Sequence, residues 1–250
     1  MATAGAPTPI PPPLEGELHD VGATRRESVR TARYTATGEL KVLGDVVVTS
    51  AAFQGLAVVG GRLEAAHLRS EGRLEVAGPV VARGEATLAG TLRLTGGLET
   101  GDLALSGEVE VRGPIAANGE IRLRGHLAAP GPVTARGVHI DGSVDVPGAI
   151  DSPFVLIRLR RPSRIGRIRS ENARVVVPPF VARGTRLTVD RIEATDVALA
   201  HVDCEYLRAE RIRLGPLARV TRLDGTVVQR HRTAWVGPFA ESDHPYGLTR

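Results

Sequence analysis

The residues of this chain that could do chemistry are few. They are seven scattered histidines, one cysteine and one dense run of arginine. His126 directly follows Gly125, and a histidine at such a corner can act as a general base in some repeat enzymes. His139 stands between Val138 and Ile140, where strand alternation points it to solvent. No His-x-x-x-His or His-x-x-x-x-His pair occurs, so neither a helix-borne zinc site nor a paired-histidine metal site is expected. Cys204 takes the place that Ala194 and Ala209 hold in neighbouring units, which reads as a small buried hydrophobe. No Gly-x-x-x-x-Gly-Lys-Ser/Thr loop is present. No catalytic residue, cofactor or metal is therefore expected, and the chain does not read as an enzyme.

The arginines are the sharpest local feature. Arg158, Arg160, Arg161, Arg164, Arg167, Arg169 and Arg174 fall close together, with Glu171 the sole acid among them. On one flat face they would form an anionic-surface patch for lipid headgroups; the alternative is a solvated exterior paired with acids on adjacent turns. Aromatics make up 3% of the chain, too few for base-stacking platforms, so nucleic acid is disfavoured as a partner. Lys41 is the only lysine, and the net charge is +4.

The elements that position these residues repeat. Between 107 and 137 a glycine recurs every sixth residue, and the clearest units, "GRLEVA", "GPVVAR", "GEATLA" and "GTLRLT", read Gly-x-apolar-x-apolar-x. Alternation over three or four residues marks a short strand with one buried face, and glycine lets the chain bend sharply at each junction. Such strands bury their faces only by stacking. The pattern predicts an all-β fold, a single-stranded parallel β-helix, with coils of about 18 residues and roughly eleven coils over 36–228. The rod would be on the order of 50 Å long at the spacing of paired strands. From Leu187 the apolar beat shortens to five, through Ile192, Val197, Val202, Leu207, Ile212 and Leu217, so five- and six-residue strand faces are both expected.

Residues 1–35 read as a Pro-rich disordered tail, with five prolines between positions 7 and 13 followed by a polar stretch. The glycine-punctuated β-helix spans 36–160, and its five-residue continuation spans 161–228 with a break at Pro178 and Pro179, which cannot donate to a ladder. Residues 229–250, with Trp235, Phe239 and Tyr246, read as a C-terminal cap or tail. No run of about 18 apolar residues and no signal-peptide pattern occurs, so a cytoplasmic protein is expected, in peripheral contact with membrane if the arginines face lipid.

The phase of the glycines differs from that of left-handed hexapeptide acyltransferases, because the aliphatic residue stands two places before each glycine (Val76 to Gly78, Leu88 to Gly90, Val111 to Gly113). The stretch "GRLEVAGPVVARGEATLAGTLRLTGGLETGDLALSGEVEVRG", followed by "IRLRRPSRIGRIRSENARVVV" and "IEATDVALAHVDCEYLRAERIRLGPLARV", resembles the bactofilins and their longer polymer-forming relatives. That resemblance implies a right-handed β-helix that polymerises by end-to-end stacking without nucleotide, with itself and other bactofilin-like proteins as partners. The ends would then be the site. Position alone suggests Val42, Val46 and Val48 at one end and Val220, Leu223 and Val227 at the other. The competing expectation is a non-polymerising binding module for a protein or membrane partner, capped by its tails.

Overall fold

A computed structural model describes residues 14–178, 181 and 184–237. Among them are seventeen strands and no helix, from Glu17–Arg26 to Trp235–Val236, all joined in parallel pairing into one sheet. The sheet coils on itself as a β-solenoid of about 13 turns. At the usual strand spacing this makes a rod roughly 60 Å long.

Each turn has three flat faces of three residues, with the first and third side chains pointing in. Face A begins with Leu18 and Asp20, face B with Thr24 and Arg26, and face C with Val29 and Thr31; each column then rises through the rod by parallel pairing. Inside lies one continuous core of Val, Leu, Ile and Ala. Among the described residues its only buried aromatics, Tyr34 and Phe53, meet edge to face at 5.8 Å. Aliphatic side chains suit this interior because three faces a few residues wide leave no room for stacked rings.

Corner size sets the turn length. Val46 pairs with Leu63, seventeen residues on, and Val80 with Leu98, eighteen on. Beyond the insertion at 177–186, where the described residues form no strand, Leu187 pairs with Val202 after only fifteen. Here three five-residue units close one turn, as the apolar beat predicts. The expected break at Pro178 falls in this insertion; Pro179 lies outside the described residues.

One corner accounts for every third glycine of the beat. Gly22, Gly38, Gly55, Gly72, Gly90, Gly107, Gly125 and Gly142 pair in register, one above the next, between faces A and B. All have positive φ, from +83° to +156°. A Cβ on Gly38 would sit 2.6 Å from the carbonyl oxygen of Gly22, and those on the later members would collide the same way. The other glycines of the 107–137 run occupy the remaining two corners.

Two boundaries differ from the expectation and one agrees. Residues 17–35 are not tail: Glu17–Arg26 and Val29–Val42 are full strands in parallel register. Their polar composition hides the period because the first turn carries polar groups inside. The five-residue faces begin at Ser163, close to the expected 161: Ser163, Ile168 and Ala173 pair at one constant offset with Leu187, Ile192 and Val197. At the other end Arg219–Arg230 and Trp235–Val236 carry the ladder past 228, so 229–236 is solenoid rather than cap. Residues 1–13 and 238–250, with Phe239 and Tyr246, lie outside the described residues.

Candidate functional site at the ends of the rod

The residues anticipated as chemical sites are dispersed. The arginine run winds round the rod instead of lining a face. Arg158, Arg160 and Arg161 stand at the corner between A and B, Arg164 on face B, Arg167 at the next corner, Arg169 on face C and Arg174 back on face A. Several have acidic neighbours: Arg160 pairs with Asp141, Arg169 reaches Glu193 at 3.3 Å, and Arg164 lies in register with Asp145. The Arg160 guanidinium holds the Asp141 carboxyl below the ordinary carboxylate range. The single-face patch is therefore corrected to a belt, because a run of consecutive residues crosses every face of a narrow solenoid within one turn.

His126 does stand at a corner, with Nδ1 2.9 Å from Ser143 Oγ. His139 points out and lies against the exposed ring of Phe154, 5.4 Å between centroids. Cys204 is wholly buried on face B, and burial pushes its thiol up to about 12. Among the described residues no three His, Cys, Asp or Glu side chains cluster to hold a metal, and no helix is long and apolar enough to cross a membrane.

What the structure does build is two unlike ends. At the N-terminal end the core stops at a polar plug. Asp20 occupies an inward position of face A, where every later turn except that of Ser70 carries an apolar residue until the last turn. Arg26, inward on face B, donates to both Asp20 carboxylate oxygens at 2.6 and 3.1 Å, and the buried Tyr34 hydroxyl donates to Asp20 at 2.8 Å. The Arg26 hydrogen bond holds the Asp20 carboxyl below its ordinary range, while burial and the neighbouring carboxylate raise the Tyr34 phenol. A buried carboxylate is tolerable here because it is fully paired. No sequence pattern announced this site, although the short spacing of Asp20, Arg26 and Tyr34 at inward positions would reveal it once the first turn is placed.

At the C-terminal end no described residue closes the core. Val227, inward on face A, is 39% exposed, its neighbour Val228 is 50% exposed, and Leu223 is partly buried against the core. Of the six residues assigned to the ends by position, Val227 is exposed and Leu223 partly so; Val220 is covered by Val236 in register. Val42, Val46 and Val48 are corrected outright. They are buried inside the rod, because the solenoid starts at Glu17 and lays the strands of the first turns over them.

The fold and these ends define a parallel β-solenoid protein, its aliphatic core plugged at one end and, among the described residues, exposed at the other. No family model, curated protein or solved structure matches the chain.

Proposed function

We propose that this chain is a structural scaffold that self-assembles by end-to-end stacking of its β-solenoid into nucleotide-independent polymers, a cytoskeletal element of the bactofilin kind. The observation that carries the reading is the open C-terminal end, an apolar strand edge with unfilled inward positions at Leu223 and Val227. A strand edge of this kind is a template for another chain, and a contact between two different surfaces extends without closing. In this reading the partners are further copies and other bactofilin-like chains, in the cytoplasm, with the arginine belt available for peripheral contact with anionic membrane.

A second reading draws on the Asp20–Arg26–Tyr34 plug: a charged lid suits a rod that does not polymerise and instead presents its faces to a protein or membrane partner. Negative-stain electron microscopy of the purified chain without nucleotide separates the two. Filaments or sheets are expected; single rods near 60 Å at every salt and protein concentration would leave only the second reading.

A further inference from the structure

The two ends are terminal members of the same columns. On face A the first inward position runs from Leu18 through Tyr34, Ala51 and nine further residues to Val227. The second runs from Asp20 through Ala36 and Phe53 to Leu199, Leu214 and finally Arg230. Between Asp20 and Arg230 this column holds only apolar residues and Ser70. It begins with an anion and ends with a cation.

Turn length matches as well. Glu17 pairs with Arg33 sixteen residues on, and Leu207 with Leu223 also sixteen on, whereas the turns between run at seventeen to nineteen, twenty-four across the insertion, and then fifteen. The charge of the chain is divided along the rod in the same sense. Residues 14–153 carry 14 basic side chains against 18 carboxylates, and residues 154–237 carry 17 against 8. Two N-terminal ends would bring like charges together, as would two C-terminal ends.

Resting on the end-to-end reading above, we infer that copies stack head to tail. The N-terminal turn of one would continue the C-terminal turn of the next, with Leu18 over Val227 and Asp20 beside Arg230. Strand direction is preserved across such a junction, so the parallel ladder continues. Val227 gains the apolar neighbour that every other member of its column has. Arg230, whose guanidinium reaches only the Ala234 carbonyl at 3.2 and 3.3 Å among the described residues, comes to lie beside the Asp20 carboxylate and would share it with Arg26. The resulting polymer is polar, with one plugged and one open terminus.

The test uses His19 and Gln229, exposed outward residues next to these columns at opposite ends. Stacked in register they would lie about one strand spacing apart, within reach of a disulfide. Full-length His19→Cys and Gln229→Cys variants are oxidised alone and mixed, with the buried Cys204 as a silent background. A linked pair in the mixture, and none in either variant alone, is expected. Linked pairs from one variant alone would overturn head-to-tail stacking while leaving assembly standing, as would filaments of the chain with no linkage in any sample. Single rods throughout, with no linkage, would remove the assembly reading itself and this inference with it. In parallel, Arg230→Glu should raise the concentration needed for assembly about fivefold to tenfold, as expected for reversing one partly exposed charge pair. Unchanged assembly would exclude the Asp20–Arg230 junction.

Discussion

Gly107 and Gly137 are equivalent in the six-residue beat, yet alanine at the two positions should have very different effects. Gly107 has φ +119° and sits in the stacked corner column; its added Cβ would run into the carbonyl oxygen of Gly90. A non-glycine residue in this backbone region costs about 1–3 kcal/mol, and moving the oxygen weakens at least one ladder hydrogen bond, a further ~1 kcal/mol. The sum is about 3 kcal/mol, with no side-chain relaxation available because the obstacle is backbone. At Gly137 φ is outside the left-handed region and the nearest atom, Glu120 Cγ, is 3.4 Å away on a flexible side chain. Alanine there should change stability by less than about 1 kcal/mol, helped by the reduced entropy of the unfolded chain. Urea unfolding followed by far-UV circular dichroism reads both variants against the parent. With a slope of about 3 kcal/mol per molar for a chain of this size, Gly107→Ala should lower the midpoint by about 1 M and Gly137→Ala hardly at all. Equal shifts would refute the corner-column account of the glycines.

The plug makes the N-terminal turn acid-sensitive. Asp20 has a folded-state pKa below its unfolded value, so its stabilisation is complete above about pH 4 and is lost as pH falls through the depressed folded value. Amide exchange across 17–26 should therefore accelerate between pH 4 and pH 2 relative to the mid-rod strands, and Asp20→Asn should remove that difference; uniform protection across the rod would count against the plug. Cys204, with its thiol pushed up to about 12 by burial, should resist a thiol reagent at pH 8 in the folded rod and react fully in denaturant. Rapid labelling of the native chain would show that face B opens.

The fold was legible because its signal is local and repeated. Alternation at Val109 and Val111 or Ile121 and Leu123 marks a buried face without reference to anything distant, and the glycines mark corners. The ends were illegible for the converse reason. Asp20, Arg26 and Tyr34 violate the apolar pattern, so a reading that seeks alternation discards the turn they complete, and the assigned end moves inward to Val42 and Val46. The arginine run misled differently. Nearness in sequence means nearness on a face only when the segment is straight, and here eighteen or nineteen residues return to the same face. Leu217 shows the limit of the five-residue beat. An extra residue at the Pro216 corner leaves Leu217 exposed with φ +53° and gives its buried place to Ala218.

The near-constant pairing offset of seventeen or eighteen from Val29 to Ile150 bears on how such a gene can change. An in-frame duplication or deletion of one offset in this stretch joins face to matching face, keeps the corner glycines aligned and leaves both termini untouched. Only the length of the rod changes, by about 4.8 Å per event. Most proteins cannot absorb a seventeen-codon insertion in their interior, because it displaces contacts that span the chain. Here every turn touches only the turns above and below it, so length can drift in single-turn quanta under selection for reach alone.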